Sequence, residues 1–386
     1  MLYRIVGNTG IEVSALGFGT MRFKDADNAA EIIECGLESG ITYFDIGSAY
    51  SYRSFDENAE TWVGRAIKGR PRDKMVLSAK AQCRSGDNPQ VEKGLGIRNR
   101  DEMWQCIENS LKRVGVEWFD FYQFWAINGQ EDFEAACVGD DAPLKALREA
   151  REQGLIRHLG FTSHAKPHEI IEWLKKVPDF RTITIYYNFM DLYCEEVIDF
   201  AHRNGVGVKI MGPLRGGLLV GQSEVFSRHL PELANLSVHE IAFRFLLSYE
   251  GISCVLSGMN EIEHLKENVE IFSRGESMTP EQRNRFVEAF KELTGGEPLC
   301  TGCRYCLGVC PQGLTVHMLM GYYQGHEIFK LPEATKRLAS IHKNARLDPN
   351  KCVKCEKCVE VCPQKLPIPE RMERLVKINE ELRREN

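Results

Sequence analysis

Two cysteine runs near the C-terminus have a spacing suited to iron–sulfur chemistry. The first is Cys300, Cys303, Cys306 and Cys310, followed by Pro311; the second is Cys352, Cys355, Cys358 and Cys362, followed by Pro363. Both read C-x2-C-x2-C-x3-C-P. A 4Fe-4S cluster needs four thiolates converging on a small cube, and each run supplies three of them on one loop. In doubled motifs the fourth cysteine reaches the other cluster. The spacing therefore predicts two 4Fe-4S clusters, one on Cys300, Cys303, Cys306 and Cys362 and the other on Cys352, Cys355, Cys358 and Cys310. Zinc sites favour two C-x2-C pairs rather than three cysteines before a fourth and a proline. A disulfide framework belongs to secreted chains, which this one does not resemble.

A second set of reactive side chains lies in the N-terminal half. Asp45 and Tyr50 sit in Phe44-Asp-Ile-Gly-Ser-Ala-Tyr50, and Lys80 ends Leu77-Ser-Ala-Lys80. Tyrosine, with an ordinary pKa of about 10, is a weak proton donor at neutral pH. A neighbouring ammonium favours the phenolate, and an aspartate holds that ammonium charged and oriented. Such a trio can pass a proton to a carbonyl oxygen while a hydride arrives at carbon, or take it back in reverse.

These residues have to be positioned by the elements around them. Residues 1–15 alternate and break at Gly7-Asn-Thr-Gly10, which predicts a short hairpin. Short apolar strands are expected at Leu16–Gly19, Thr42–Asp45, Met75–Ala79, Phe119–Phe124, Ile156–Phe161, Ile183–Tyr186, Val206–Met211 and Ile252–Val255. Helical patterns lie between them, at Asn28–Ser39, Asp101–Val114, Leu144–Gln153 and Ser237–Ser248. Eight β-then-α units predict an α/β fold, a closed (β/α)8 TIM barrel, with an open doubly wound sheet as the alternative. The second reading is weakened because no G-x-G-x-x-G follows any strand. A breaker cluster at Thr294-Gly-Gly-Glu-Pro298 places the boundary between a barrel over 1–294 and a small ferredoxin-like iron–sulfur domain over 295–386. The segment Leu331–Lys343 reads as helical, and Pro369–Asn386 as a charged, solvated terminal helix.

Composition narrows the classes. The chain has 386 residues and a net charge of −6, which offers no electrostatic case for nucleic acid. No run of about 18 apolar residues suggests a membrane span. The opening Met-Leu-Tyr-Arg-Ile-Val-Gly leads into a strand pattern rather than a signal peptide. Six further cysteines (Cys35, Cys83, Cys106, Cys137, Cys194, Cys254) follow no spacing, as expected of reduced thiols. A reducing cytoplasm is the expected location.

The barrel region resembles the aldo-keto reductases over roughly residues 1–272. The resemblance rests on Gly7-Asn-Thr-Gly10-Ile-Glu-Val-Ser-Ala-Leu-Gly-Phe-Gly19, Phe44-Asp45 with Tyr50, Glu60 with Gly64, and Ser110-Leu-Lys-Arg-Val-Gly115. It continues through Asp120-Phe-Tyr122, Gly160-Phe-Thr162, Val208–Leu218 and Ser257-Gly-Met259 with Glu267-Asn268. Together with the cysteine runs, the chain is similar to the subgroup that carries a C-terminal two-cluster domain. The resemblance implies catalysis by Tyr50, Lys80 and Asp45 with NADP(H) or NAD(H). At the place of the family's catalytic histidine stands Trp125, whose N–H donates but cannot titrate. It implies nicotinamide contacts at Thr162, Ser163 and Thr184, where the family usually has Ser-Asn and Gln. Pro213, Leu214, Arg215 and Gly217 would face the pyrophosphate, His264, Glu267 and Asn268 the adenosine, and Ser257 would be a further cofactor contact.

These observations predict an iron–sulfur oxidoreductase acting on a small carbonyl or alcohol. Nicotinamide moves electrons in pairs and a 4Fe-4S cluster singly, so the two need a bridge. The alternative is an enzyme whose clusters deliver electrons to an organic substrate, with a ferredoxin or flavoprotein as electron partner. A non-catalytic binding protein ranks third, because Asp45, Tyr50 and Lys80 are all present.

Overall fold

The computed structural model describes residues 1–84, 89–222, 231–292, 298–300, 302, 304–362 and 364–384. Cys303, Pro363 and most of the breaker cluster at 294–298 lie outside them. The chain forms two compact units. The first comprises Met1–Tyr186, Cys194–Pro213 and Tyr249–Glu276; the second comprises Tyr187–Tyr193, Leu214–Ser248 and Ser277–Asn386.

In the first unit, β1 (Tyr3–Ile5) and β2 (Glu12–Ser14) pair as an antiparallel hairpin. Eight parallel strands then close a barrel: β3 (Leu16–Gly19), β4 (Tyr43–Asp45), β5 (Val76–Ala81), β6 (Phe119–Phe124), β7 (Ile156–Ser163), β8 (Phe180–Tyr186), β9 (Gly207–Met211) and β10 (Ile252–Ser257). β10 pairs with β3 and closes the ring. Every expected strand is present. β8 starts at Phe180 rather than Ile183, since Phe180 is buried against Phe161 with ring centroids 4.9 Å apart.

The helices around the ring begin where their caps are written. The side chain of Asp25 accepts from the Asn28 N–H ahead of helix Ala26–Glu38, and Asn99 accepts from the Glu102 N–H ahead of Arg100–Val114. Asn58 and Thr61 form a reciprocal capping box for Ala59–Ile67. A buried ion pair, Arg113 Nε to Glu60 Oε2 at 2.6 Å, ties this last helix to Arg100–Val114.

Side chains fill the barrel interior, as closed eight-stranded barrels require. Towards the N-terminal ends of the strands, Val6 and Val13 of the hairpin join Tyr43, Val76, Phe121 and Cys254. At this level Gly17 is needed. A Cβ there would lie 2.6 Å from Cys254 Sγ and 3.0 Å from the Tyr43 ring.

The second unit has its own core. Phe245 and Phe286 lie 5.9 Å apart, with Phe189 edge-on to both, and Arg283 Nη1 donates to the Ser248 carbonyl at 2.9 Å. Helices Val316–Tyr323, Pro332–Ala339 and Ile368–Arg384 follow. The terminal helix is not simply solvated. Its Ile368, Met372, Leu375 and Ile378 recur at helical spacing and are buried, and Asn379 Nδ2 donates to the Leu338 carbonyl at 2.5 Å. Among the described residues, no helix is long and apolar enough to cross a membrane.

Candidate functional site

Asp45 is the last residue of β4, and Lys80 lies near the C-terminal end of β5. Parallel register sets Asp45 beside Ser78, two residues before Lys80 on the same face. Both side chains are buried, and Lys80 Nζ donates to Asp45 Oδ1. Tyr50 follows on a turn closed by its N–H to the Gly47 carbonyl at 3.0 Å. Its ring centroid is 5.0 Å from Lys80 Nζ. Gly47 permits this approach: a Cβ there would meet Tyr50 Cε2 at 3.0 Å and Lys80 Cε at 3.3 Å.

Trp125, just past β6, packs edge-on to Tyr50 with centroids 5.1 Å apart, and Lys80 Nζ is 5.9 Å from its ring. The barrel therefore gathers Asp45, Tyr50, Lys80 and Trp125 at the C-terminal ends of three adjacent strands. This is the face where barrel enzymes build their sites.

The electrostatics differ in one respect from the sequence expectation. Burial pulls the Lys80 ammonium down, but Asp45 and Tyr50 outweigh it, and the net shift is upward, so Lys80 stays charged. For Tyr50, burial pushes the phenol up more than Lys80 pulls it down, and Asp45 adds to the rise. Tyr50 is therefore held protonated at neutral pH rather than poised near it.

Gln123 was not singled out from the sequence. Its Nε2 donates to Ser78 Oγ at 2.8 Å and to Asp45 Oδ2 at 3.4 Å, while its Oε1 accepts from Thr184 at 2.9 Å. It stands two residues before Trp125, so strand alternation puts it on the same inner face. That polar residue inside Phe-Tyr-Gln-Phe-Trp was the available signal. Lys209, inside Gly-Val-Lys-Ile-Met, was missed for the same reason. It is fully buried with its Nζ unpartnered, 4.8 Å from the Phe121 ring and 5.5 Å from the Tyr43 ring. Burial lowers its pKa to about 7, against the pull of Asp45 and Cys254.

The residues considered for a nicotinamide are placed as follows. Thr162 Oγ1 accepts from the Ala126 N–H at 2.8 Å, which leaves its own proton to donate. Ser163 Oγ donates to the Ile127 carbonyl at 2.6 Å and accepts from the Ala165 N–H at 3.0 Å. Thr184 donates to Gln123. Asn268 is buried and donates to Ser257 Oγ at 3.1 Å, while His264 and Glu267 are exposed on the same helix, Ile262–Arg274. Pro213 is buried at the end of a first-unit segment. Leu214, Arg215 and Gly217 belong to the second unit. There the Arg215 guanidinium lies against Gly321, and Arg337 donates to the Gly216 carbonyl.

The cysteines of the second unit line two cavities. Cys310, Cys352, Cys355 and Cys358 surround one, together with Leu314 and Met372. Cys300, Cys306 and Cys362 line the other, with Arg304, His317 and Met320. Burial and the neighbouring sulfurs of Cys352, Cys355 and Cys310 push the Cys358 thiol up to about 11. Among the described residues, no three His, Cys, Asp or Glu side chains converge closely enough to hold a single metal ion. The thiolates of a cubane each bind a different iron, so they stand further apart than the ligands of one tetrahedral ion.

Residues 15–289 match the aldo/keto reductase family, and residues 299–366 match a 4Fe-4S dicluster domain. An uncharacterized oxidoreductase of Bacillus subtilis (strain 168), YqkF, is 26% identical over 293 residues, covering 70% of this chain and 90% of its own. L-galactose dehydrogenase of Arabidopsis thaliana is 25% identical over 324 residues, covering 75% and 96%. Among solved structures, the holo form of the aldo-keto reductase AKR11C1 from Bacillus halodurans superposes with a TM-score of 0.61 at 26% identity, covering 75% of this chain and 96% of that one. With its closed barrel and its cysteine-rich second region, the chain belongs to the aldo/keto reductase family and carries a 4Fe-4S dicluster domain.

Proposed function

We propose that the barrel interconverts a small carbonyl and its alcohol with NADP(H) or NAD(H), and that Tyr50 is the proton donor in reduction. The observation that carries this reading is the convergence of Tyr50, Lys80 and Asp45 at the C-terminal ends of the strands. When bound, a nicotinamide supplies or accepts a hydride at the substrate carbon. The chain's own residues handle the proton. Tyr50, kept as a phenol by burial, meets the substrate oxygen with its proton in place. As charge builds on that oxygen the proton moves to it, and Lys80 stabilises the phenolate left behind. Asp45 keeps Lys80 charged and aimed, and Gln123 with Ser78 fixes Asp45. Trp125 walls the site with an aromatic face and adds no titrating group.

Donor chemistry favours some cofactor positions over others. Thr162 has a proton free for a carboxamide, whereas the hydroxyl protons of Ser163 and Thr184 are already donated. Ser257 and Asn268, with His264 and Glu267, suit an adenosine. Pro213, Leu214, Arg215 and Gly217 remain the candidates for the pyrophosphate, and Arg215 also acts electrostatically on Asp191.

In the second region we assign one 4Fe-4S cluster to Cys300, Cys303, Cys306 and Cys362, and one to Cys352, Cys355, Cys358 and Cys310. This crossed assignment is supported by the described cysteines: Cys362 lines the cavity of Cys300 and Cys306, and Cys310 lines that of Cys352, Cys355 and Cys358. We keep 1–294 as the barrel region and 295–386 as the iron–sulfur region, a division by function that differs from the two compact units. Iron–sulfur clusters suit a reducing compartment, the cytoplasm.

A second reading is favoured by Trp125 and the dicluster domain together. In it the clusters feed single electrons to a substrate in the barrel, with a ferredoxin or flavoprotein as donor. Anaerobic titration with NADPH and NADH, following cluster absorbance and nicotinamide fluorescence together, separates the two. Tight nicotinamide binding with turnover of a carbonyl panel supports the first. Absence of nicotinamide binding and of carbonyl turnover overturns it in favour of the second.

A further inference from the structure

The loop Tyr187–Tyr193 belongs to the second unit and carries a buried carboxylate. Its turn is fixed locally: the Asp191 N–H donates to the Asn188 carbonyl at 2.8 Å, and the Met190 N–H to Asn188 Oδ1 at 3.0 Å. Asp191 Oδ2 receives Arg304 Nη2 at 3.5 Å. That arginine stands between Cys303 and Cys306 in the sequence and lines the cavity shared by Cys300, Cys306 and Cys362.

The same carboxylate fills the space a side chain at 302 would need. A Cβ on Gly302, whose φ is +70°, would lie 2.0 Å from Asp191 Oδ2. Glycine is therefore required on both counts, and the first cysteine loop is seated directly on Asp191. Arg215 supplies a second cation. It acts electrostatically on Asp191 and rests against Gly321, on the helix Val316–Tyr323 whose His317 and Met320 line the same cavity. Tyr193 and Tyr305 stack edge-on at 6.1 Å and close the arrangement.

We infer that Asp191, Arg304 and Arg215 form a charge triad that sets the reduction potential of the cluster held by the first cysteine loop, and not that of the other cluster. This rests on the cluster assignment above. Burial pushes the Asp191 carboxyl up and the two guanidinium groups pull it back down, and together the three groups leave net positive charge beside that cavity. Adding an electron makes a cluster more negative, so nearby positive charge raises its potential and negative charge lowers it. Among the described residues, no such group lines the cavity of Cys310, Cys352, Cys355 and Cys358. Its charged neighbours are Lys354 and Glu356, of opposite sign.

The triad acts as a set of positioning residues, and signs distinguish it from mere structural support. Asp191→Asn removes a negative charge and should raise one midpoint potential. Arg215→Gln removes a positive charge and should lower the same one. Arg215→Lys keeps the charge and should leave it near wild type. Each charge deletion should change the reduction equilibrium constant about tenfold, which is about 59 mV for one electron.

The assay is an anaerobic redox titration of the full-length protein, followed by electron paramagnetic resonance, with iron and sulfide measured on every sample. One potential moving in opposite directions in the two variants, while the other stays fixed, is the expected result. Unchanged potentials, or both potentials moving together in one direction, overturn the triad. A wild-type protein with no iron–sulfur signal would instead overturn the cluster assignment. Should Asp191→Asn fail to keep its iron, Arg215→Gln against Arg215→Lys decides alone.

Discussion

Replacing Lys209 with methionine should stabilise the protein, and by an amount that depends on pH. The lysine is fully buried inside the barrel, its Nζ has no hydrogen-bond partner, and two aromatic faces lie 4.8 and 5.5 Å from it. Its folded pKa is about 7. An unfolded lysine titrates near about 10.4. The gap of roughly three and a half units, at about 1.36 kcal/mol each, makes the folded state bear a penalty of roughly 4–5 kcal/mol. The sign follows from proton counting. Between about pH 7 and about pH 10.4 the unfolded chain binds more protons, so this residue makes stability rise with pH across that window.

The penalty is complete below about pH 7 and vanishes near about pH 10.4. Methionine has a similar length and no charge, so Lys209→Met should gain several kcal/mol at about pH 6, offset by loss of the cation–π contacts at up to about 2 kcal/mol. The gain should shrink steadily towards about pH 9.5. Anaerobic chemical denaturation of both proteins across that range measures it. A gain that does not change with pH, or a variant less stable at every pH, would refute the reasoning.

Three further outcomes are expected. Gly47→Ala should lower turnover by tenfold or more while the fold survives, because the new methyl displaces the Tyr50 ring from Lys80; steady-state kinetics alongside circular dichroism checks it. Trp125→His should raise turnover of simple aldehydes, since imidazole offers the carbonyl a hydrogen bond and leaves room beside Tyr50; an unchanged or lower rate over an aldehyde panel with NADPH counts against the proposed site. Anaerobically purified protein should contain about eight iron and eight sulfide per chain, and an iron-free, zinc-containing preparation would contradict the cluster assignment.

Much of the barrel was legible because its strands are short, apolar and regularly spaced, and because barrel chemistry sits at strand ends. Asp45, Tyr50 and Lys80 could be picked out for that reason, and the structure brings them together. What escaped reading depends on packing between segments distant in the chain. Gln123 and Lys209 look like flaws in apolar strands until the closed ring shows that both point inward. The direction of the Tyr50 shift was misjudged because a neighbouring lysine is visible in sequence and the depth of burial is not. Arg215 reads as a cofactor contact from its place after β9, and its proximity to Asp191 and Gly321 is not legible in the sequence. The terminal helix looked solvated because charged residues dominate it; its thin apolar stripe has neighbours that only the fold reveals.

The most direct test of the central claim follows label from nicotinamide to product in wild type and in Tyr50→Phe. Under anaerobic single-turnover conditions, cofactor deuterated at the transferring position should place deuterium on the carbinol carbon of the product in the wild-type enzyme. Tyr50→Phe should bind the cofactor with near-normal affinity and transfer the label about a hundredfold to ten-thousandfold more slowly, the usual effect of losing a general acid. Product formed without deuterium, or transfer by Tyr50→Phe at close to the wild-type rate, would contradict the account.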